Sequence, residues 1–536
     1  MKQAKGGRLE TGMKKASKNR QTGLPHRVTC LGALGLAFLM FVGAIYGTGV
    51  HIDAKSTKED VITLRVCNWE EYMDLGDWDE EETIDLESGD IYGERALYQE
   101  FEDWYYEHYG KRVKVEYSCF GTNEELYNML TLGDEFDLVC PSEYMIMKLL
   151  AEDWLVPYSE DFYDESNPAN YYIRNVSPYI RNVFETNEIG GIYWNQYAAG
   201  YMWGITGLLY NPEEVSEEQV STWAALSDPE LFRQVTIKDN VRDAFFAAVG
   251  AVKSKELTSQ AFVSDPDYPE HLADEMNDVS AENIARVLDY LQDVKDNVYS
   301  FETDSGKADM VTGKVLANLQ WSGDAVYAMD QAEEDELYLN FSVPKECTNL
   351  WFDGWVMLKN GIAGDADKQQ AAEAFVNFLS IPENAVRNMY YIGYTSVIAG
   401  GEDGDEVWEY LDWTYGAEEE EEEIATYDVS YFFAGGQPEA EETYLLTVPE
   451  EQTRRQLYAQ YPQEEVMERS AIMRYFDAEA NAAINQMWIS VRCYNILDMP
   501  TWGWILVVLA VFAITVFLIY SRRERSYEIK EKKQSI

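Results

Sequence analysis

Strand-like and helical patterns alternate along the central part of the chain. Ile62 to Cys67 and Val113 to Tyr117 are short runs rich in β-branched residues, and each predicts a strand. Glu94 to Tyr109 lies between them and predicts an amphipathic helix, because its large apolar residues recur on one side at helical spacing. These apolar residues are Leu97, Phe101, Trp104 and Tyr105.

The same alternation continues towards the C-terminus. Glu124 to Leu130 has a helical pattern, and Phe136 to Cys140 predicts a strand that runs into a turn at Pro141. Ala366 to Leu379 predicts a packed helix, because small and aromatic residues recur in it at helical spacing. Those residues are Ala371, Ala374, Phe375 and Phe378. Strands and helices that alternate in this way predict an α/β fold.

Two uncharged, strongly apolar runs stand near the ends of the chain. Val28 to Val50 and Trp502 to Tyr520 are each long enough to cross a hydrocarbon core of about 30 Å. The first run follows Lys and Arg residues and ends among small residues, so it reads equally as a transmembrane helix or as a cleaved signal peptide. The second run has aromatic residues at both edges and predicts a transmembrane anchor.

Charge is distributed very unevenly along the chain. It has 42 Lys and Arg against 96 Asp and Glu, a formal net charge of −54, which excludes a nucleic-acid binder. The flanking segments 1–27 and 521–536 are nevertheless basic. Basic flanks stay on the cytoplasmic side, so both termini are expected in the cytoplasm and the acidic body between the two runs outside the cell membrane.

Acidic segments interrupt the body, at Asp77 to Asp90 and at Gly400 to Glu465. The second contains an unbroken run from Glu418 to Glu423. Both segments are interpreted as solvated surface loops. A calcium site is the minor alternative, because neither segment has the spacing of an EF-hand.

Cysteine and histidine offer little for catalysis or metal binding. The six cysteines have no metal-binding spacing and are too few for a disulfide scaffold, and their pairing cannot be assigned. The four histidines are scattered. No cofactor and no metal site are therefore expected, and the chain is not expected to be an enzyme.

Aromatic residues make up 14% of the chain, and several stand beside acids next to predicted strands. Ligands of open α/β sheets bind beyond the carboxyl ends of the strands, so these segments are expected to meet in one cleft. Aromatic faces attract methylene groups and cations, and carboxylates accept hydrogen bonds from ammonium groups. The combination suits an aliphatic chain that carries ammonium groups. The segments are Asn68 to Tyr72, Pro141 to Tyr144, Trp321 to Asp324 and Trp351 to Asp353.

Taken in order, these segments and a few more give the chain a family resemblance. The chain resembles the spermidine/putrescine-binding proteins of ABC importers from about residue 62 to 395, with a looser match to about 492. The segments that carry the resemblance are Asn68 to Tyr72, Phe136 to Tyr144, Tyr201 to Gly204, Asp239 to Phe245, Trp321 to Asp324, Trp351 to Asp353 and Ile392 to Tyr394.

The resemblance implies a bilobal periplasmic-binding-protein-like fold, in which two α/β lobes joined by a hinge close over a ligand. The first lobe is expected to comprise residues 60–204 and 350–400, and the second residues 205–349 and 401–498. Two transmembrane helices, at 28–50 and 502–520, are expected to flank the lobes, although the first remains open to cleavage as a signal peptide.

The resemblance also implies the ligand-binding residues. Asp243 and Asp353 would take ammonium groups, and Asp324 matches an acid of the putrescine-binding branch. Asn240 stands where spermidine binders carry a further acid, which favours a shorter diamine. The expected lining residues are Trp69, Tyr72, Ser142, Tyr144, Asn240, Asp243, Trp321, Asp324, Trp351, Asp353 and Tyr394.

The function expected from these features is that of a membrane-anchored extracytoplasmic polyamine receptor. It would deliver putrescine or spermidine to ABC permease subunits with a cytoplasmic ATPase, with no catalysis of its own. Two alternatives remain at this stage. One is a polyamine-sensing ectodomain that is not coupled to transport, and the other is a carbohydrate receptor, since Trp-rich clefts also stack sugars.

Overall fold

The structure is a computed structural model, and it describes residues 61–78, 82–400, 405–418, 423–435 and 444–493, together with helical residues near 505–517. The strands are β1 (Ile62–Trp69), β2 (Ile84–Asp85), β3 (Asp90–Ile91), β4 (Val113–Phe120), β5 (Leu138–Val139), β6 (Leu155–Val156), β7 (Glu188–Ile189), β8 (Ile192–Tyr193), β9 (Ala198–Tyr210), β10 (Val235–Lys238), β11 (Ser300–Glu302), β12 (Ala317–Trp321), β13 (Asn340–Ser342), β14 (Thr348–Leu358), β15 (Thr395–Ser396), β16 (Ile424–Asp428), β17 (Leu445–Pro449) and β18 (Ser470–Ala471).

Helices connect most of these strands. They are α1 (Leu97–Tyr109), α2 (Asn123–Leu132), α3 (Glu143–Ala151), α4 (Tyr171–Asn175), α5 (Pro178–Thr186), α6 (Glu217–Val220), α7 (Val241–Leu257), α8 (Gln260–Val263), α9 (Tyr268–Met276), α10 (Ala281–Asn297), α11 (Ser305–Val311), α12 (Ser322–Glu333), α13 (Lys359–Ile362), α14 (Ala366–Leu379), α15 (Pro382–Ile392), α16 (Glu406–Tyr415), α17 (Ser430–Ala434), α18 (Gln456–Gln460), α19 (Glu464–Glu468) and α20 (Ala478–Arg492).

One mixed sheet runs through the molecule in the order β11-β10-β12-β9-β14-β5-β1-β4. At one end β4, β1 and β5 are parallel, and at the other end β11, β10 and β12 are parallel. The long strands β9 and β14 lie between the two parallel groups and are antiparallel to each other. The molecule therefore has two α/β lobes that share a pair of crossover strands.

The crossover strands form the centre of the molecule. Every residue of β9 and of β14 is buried, as expected for strands covered on both faces. Their pairing shifts register between Asp353 and Gly354. An irregularity of this kind bends a strand and redirects its side chains, and such bulges are common next to functional sites.

Each parallel group is the centre of its own apolar core. The first core packs Leu64, Phe101 and Phe375 around β1, and it extends behind the crossover strands to α12. The second core packs Ile237 and Leu291 around β10 with the helices α7, α10 and α20. Burial of these side chains from water supplies the main stabilisation of both lobes.

The strands and helices predicted from the sequence are confirmed, but the strand predicted from Phe136 to Cys140 is limited to Leu138–Val139. The packed helix has the predicted bounds, Ala366 to Leu379, and the strand that begins at Val113 extends to Phe120. The first helix begins at Leu97 instead of Glu94. The backbone carbonyl of Glu94 accepts a hydrogen bond from the amide of Asp77, so this residue pairs with an upstream segment and cannot start the helix.

The interpretation of residues 400–465 as a solvated loop was wrong for the part that the structure describes, whereas residues 401–404, 419–422 and 436–443, with most of the Glu418 to Glu423 run, lie outside the described residues. This segment contains α16, α17, α18 and the β16–β17 hairpin, and the side chains of Val407, Leu411 and Phe432 are buried in the first core. Helix α16 packs on α15, and α17 packs on α5. Helices α16 and α17, which were expected in the second lobe, therefore pack on helices of the first, whereas α18 packs on α12.

The segment Asp77 to Asp90 is also more ordered than expected. Trp78 and Ile84 are buried, and β2 pairs with β3. Asp74, just before this segment, accepts hydrogen bonds from Arg387 at 2.6 and 2.9 Å and from the indole of Trp78 at 3.1 Å.

The apolar run Val28 to Val50 lies outside the described residues. In the second run, residues 511–517 are helical, and the side chains of Val511, Phe512 and Phe517 are exposed. Across the part of the chain that the structure describes, no helix has the length and apolar character needed to cross a membrane.

Candidate functional site

The predicted aromatic and acidic segments meet where the two lobes face each other. Trp69 ends β1, Ser142 follows β5, and Trp321 ends β12. Trp351 and Asp353 lie within the crossover strand β14. The carboxyl ends of parallel strands therefore contribute to one cleft, as expected for an open α/β sheet.

Asp353 is the centre of the half of the cleft nearer the first lobe. Its carboxylate accepts hydrogen bonds from the Tyr72 hydroxyl and from the Ser142 hydroxyl, both at 2.7 Å. The Asn123 amide donates to the Ser142 oxygen at 3.0 Å and fixes its position. Burial raises the pKa of the Asp353 carboxyl to about 6, although the two hydroxyl hydrogen bonds lower it. No cation faces this carboxylate within salt-bridge distance in the described residues.

A second carboxyl group lies close behind Asp353. Glu143 is buried, and its carboxylate accepts a hydrogen bond from the backbone amide of Phe352 at 3.2 Å. Burial raises the pKa of Glu143 to about 8, and the negative charge of Asp353 adds to that increase. Burial therefore favours the uncharged form of Glu143, whereas the hydroxyl groups of Tyr72 and Ser142 favour the charged form of Asp353.

Aromatic rings connect the two halves of the cleft. Tyr394 stands edge-on to Tyr72, with ring centroids 5.0 Å apart, and its centroid lies 5.8 Å from that of Trp351. Trp351 is fixed by a hydrogen bond of 3.2 Å from its indole to the carbonyl of Ile205. The wall is rigid because each ring is held by a neighbour.

Two glycines make room for these rings. A Cβ atom at position 323 would overlap the ring of Tyr394, and one at position 204 would overlap the indole of Trp351. Gly323 is the third residue of the segment Trp321 to Asp324. The glycine of that motif is therefore required by the close approach of Tyr394.

Asp324 is the acid of the opposite half and is already paired with cations. Its carboxylate lies 3.3 Å from the ammonium of Lys238 and 3.3 Å from that of Lys307, and it accepts a hydrogen bond of 3.0 Å from Tyr394. Burial acts to raise the pKa of Asp324, but the two lysine charges and the tyrosine hydroxyl hold it below its ordinary value.

Asp243 lies on the same half, in the first turn of α7. The indole of Trp321 donates a hydrogen bond of 3.3 Å to its carboxylate. Burial raises the pKa of Asp243 to about 6, while the Trp321 hydrogen bond and the charge of Lys238 act in the opposite direction. Asn240 caps this helix, because its side-chain oxygen accepts a hydrogen bond of 2.8 Å from the amide of Arg242.

Arg242 connects the lobes at the edge of the cleft. Its guanidinium, carried by α7, lies 4.6 Å from the ring centroid of Tyr144 on α3. It also lies 4.0 Å from the ring centroid of Phe476 and donates to the carbonyl of Arg474 at 2.7 Å. Tyr144 donates in turn to Glu124 at 3.2 Å. The contact between Arg242 and Tyr144 spans the two lobes.

Trp69 packs on Phe120, with ring centroids 4.7 Å apart. Its indole nitrogen is buried and makes no hydrogen bond to any described residue. Buried indole N–H groups usually have an acceptor. The ring of Trp69 is therefore positioned by its contact with Phe120, while its backbone amide donates to the Asn68 side chain at 2.9 Å.

Sequence reasoning did not single out three cationic residues of the cleft, Lys238, Lys307 and Arg242. Lys238 ends β10, so its position at the carboxyl end of a strand was a usable signal. Arg242 lies within the segment Asp239 to Phe245 that carried the resemblance. Lys307 lies in α11 and had no such signal, because only the folded structure brings it to Asp324.

In the described part of the chain, the His, Cys, Asp and Glu side chains form no group of three or more that could hold a metal ion. The described cysteines, Cys67, Cys119, Cys140, Cys347 and Cys493, are all free.

Comparison with known proteins identifies the family. Residues 96–413 match the model of the bacterial extracellular solute-binding protein family. The spermidine/putrescine-binding periplasmic protein of Salmonella typhimurium is 25% identical over 285 residues, which cover 53% of this chain and 70% of that protein. A putrescine-binding periplasmic protein of Escherichia coli is 25% identical over 280 residues, which cover 51% and 67%.

Solved structures confirm the predicted fold class. A spermidine/putrescine ABC transporter substrate-binding protein from Streptococcus pneumoniae superposes with a TM-score of 0.51 at 22% identity, covering 80% of this chain and 98% of that chain. A putative spermidine/putrescine ABC transporter from Listeria monocytogenes gives a TM-score of 0.53 at 20% identity, covering 81% and 99%. The α/β periplasmic-binding-protein-like fold is therefore confirmed. Because the family model matches more than half of its length, the chain belongs to the bacterial extracellular solute-binding protein family.

Proposed function

We propose that this chain binds a polyamine between its lobes outside the cytoplasm and delivers it to an ABC importer. The observation that carries the proposal is Asp353, a buried carboxylate that two hydroxyl groups orient and no described cation neutralises. It stands beside the rings of Tyr72, Tyr394 and Trp351. The names of the relatives described above support a polyamine as the ligand class.

The proposed binding chemistry follows from the side chains around Asp353. An ammonium group donates to Asp353 in a charge-assisted hydrogen bond, which is stronger than a neutral one. The methylene chain of the ligand lies against the aromatic wall, and the ring faces attract its cationic ends. A carbohydrate site would need neutral amide and hydroxyl partners instead, and the acids Asp243 and Asp353, which no described cation pairs with, favour an amine.

The remaining predicted site residues take supporting roles in this proposal. Ser142 and Tyr72 orient Asp353, and Tyr144 holds the edge of the cleft through Arg242. Asn240 acts through α7, whose first turn carries Asp243. Trp69 and Trp321 would contact the ligand from the ends of β1 and β12.

Delivery would use the lobe arrangement. The crossover strands β9 and β14 are the covalent connections at the centre of the molecule, and closing the lobes around them would bury the ligand. The closed form would then present both lobes to the permease subunits, whose partner is a cytoplasmic ATPase. The chain itself would perform no catalysis.

The direct test is isothermal titration calorimetry on the full-length protein in detergent, with putrescine, cadaverine, spermidine, spermine and common sugars. We expect a 1:1 complex with at least one linear polyamine and no heat with any sugar. Binding should also give a negative heat-capacity change, because closure buries apolar surface. Binding of a sugar or an amino acid without any polyamine binding would refute the proposal.

We further propose that the apolar runs Val28 to Val50 and Trp502 to Tyr520 hold the body on the outer face of the cell membrane. The support is their length, the basic segments beside them and the aromatic residues at the edges of the second run. Both termini would then lie in the cytoplasm, unless the first run is removed by a signal peptidase.

Fractionation of cells tests this arrangement. The full chain should stay with the membranes after a carbonate wash, and protease added from outside should digest the body. Deletion of 502–536 separates the two readings of the first run, because the body is released only if that run is cleaved. Recovery of the full chain in the soluble fraction, or digestion only from the cytoplasmic side, would contradict the proposal.

A further inference from the structure

An ammonium group of the protein itself occupies one end of the cleft. Lys238 ends β10, and only 1% of its side chain is exposed. Its Nζ atom lies 3.3 Å from the Asp324 carboxylate, 3.5 Å from that of Glu302 and 4.4 Å from the ring centroid of Trp321. It also donates to the carbonyl of Thr303 at 3.2 Å.

An ammonium group of a ligand would bind to the same kinds of partner at this position. A carboxylate accepts from Lys238, and an aromatic face covers it, which is the same combination that the cleft offers near Asp353. Lys307 adds a second ammonium, 3.3 Å from the other oxygen of Asp324. A third contact on this carboxylate comes from the Tyr394 hydroxyl.

We propose that Lys238 determines ligand specificity by serving as a tethered ammonium at the Asp324 end of the cleft. The proposal rests on the polyamine-binding function proposed above. Lys238 already fills the position beside Asp324 and Trp321 that an ammonium group of the ligand would otherwise occupy. A ligand with one ammonium group fewer therefore loses no contact there. A ligand with an additional ammonium group would be repelled by the charge of Lys238.

The second acid beside Lys238 has its acceptor atoms in use within the protein. Glu302 is buried and already accepts from the amide of Gly306 at 2.8 Å and from the Asn318 side chain at 3.3 Å. Asp243 accepts a hydrogen bond of 3.3 Å from the Trp321 indole, and no cation of the described residues lies within salt-bridge distance of it. The two acids left for a ligand are therefore Asp353 and Asp243, which suits a short diamine better than a triamine.

The test replaces Lys238 with methionine, which keeps the length of the side chain and removes its charge. The matched control is Lys253→Met, because Lys253 is also a buried lysine of the second lobe, paired with Glu275 and Asp278 away from the cleft. Dissociation constants for putrescine and spermidine are measured by calorimetry on the full-length proteins in detergent, with thermal melts to verify folding.

In Lys238→Met, the ratio of spermidine to putrescine affinity should rise about tenfold over the wild-type ratio, which corresponds to about 1.4 kcal/mol. In Lys253→Met the ratio should stay at the wild-type value. Lys238→Gln is a second neutral variant in case methionine prevents folding, and it should shift the ratio in the same direction.

Two results would overturn the inference. One is a wild-type protein that binds putrescine and spermidine with a ratio that neither neutral variant changes. The other is a folded neutral variant that loses both ligands, because Lys238 would then support binding instead of limiting it. Failure of the polyamine proposal looks different: neither the wild type nor any of these variants would bind an amine.

Discussion

Replacing Asp353 with asparagine is expected to weaken polyamine binding by about ten- to a hundredfold. Asparagine keeps the shape of the side chain and an acceptor oxygen, but it removes the charge that faces the ligand. A hydrogen bond to a charged group contributes about 1.5–3 kcal/mol, and Asp353 is 6% exposed, so water screens this interaction little. Calorimetry on the full-length variant measures the change directly.

The matched control for this variant is Asp330→Asn. Asp330 is also an acid packed among neighbouring side chains, in α12 beyond the cleft, and burial together with the charge of Glu333 raises its pKa to about 7. It accepts a hydrogen bond of 3.0 Å from Gln456. The control should bind polyamine within about threefold of the wild type, whereas an equal loss from both variants would place the binding site elsewhere.

Replacing all six residues of Glu418 to Glu423 with glutamine extends the same comparison to an acidic run. The sequence predicts a solvated loop for this run, and solvated charges act on a ligand only through a field that falls off over a Debye length of about 8 Å. The association rate should therefore change modestly and the dissociation rate very little. Asp353 differs because its effect depends on direct, desolvated contact.

The sequence was most informative where a pattern has one structural solution. Ala366 to Leu379 presents small and aromatic residues at helical spacing, and the helix has those bounds. The cleft could be located from the acids and aromatics next to strands, because all parallel strands of a lobe end at the same edge of its sheet. Asp353, Tyr72 and Ser142 meet there as hydrogen-bond partners.

Composition was a poor guide where acidic residues surround an apolar face. The segment from Glu406 to Tyr415 is acidic, yet Val407 and Leu411 lie on one side of a helix that packs on α15. The charged residues on the opposite face of the helix made the helical spacing of the apolar residues less evident in the sequence. A comparison of apolar spacing with charge, residue by residue, would have separated a buried helix from a solvated loop.

The pairing of Asp324 could not be predicted from the sequence at all. Lys238, Lys307 and Asp324 belong to β10, α11 and α12, and nothing in their spacing along the chain indicates that they meet. A motif in the sequence identifies an acidic residue. Whether that carboxylate is available to a cationic ligand depends on the cations that the fold places beside it. This is why the role of Asp324 in ligand binding stays a prediction.

Polyamine affinity is expected to fall steeply as the pH drops from 7 to 5. The pKa of Asp353 and that of Asp243 are both raised to about 6, chiefly by burial. Each carboxyl group must be ionised to accept from an ammonium, so protonation competes with the ligand below the pKa. Each group then costs about tenfold in affinity per pH unit, and the two together about a hundredfold near pH 5.

The stability of the unliganded protein should change with pH in the opposite direction because of the same two carboxyl groups. A carboxyl whose pKa is raised by folding favours the folded state at low pH, and that contribution is lost as the pH rises through about 6. The rise in Tm caused by saturating putrescine should therefore shrink between pH 7 and 5.

In Asp243→Asn only one of the two groups still titrates, so the slope of log Kd against pH should be about half that of the wild type. An affinity that is constant from pH 5 to 8 would mean that neither Asp353 nor Asp243 faces the ammonium groups of the ligand.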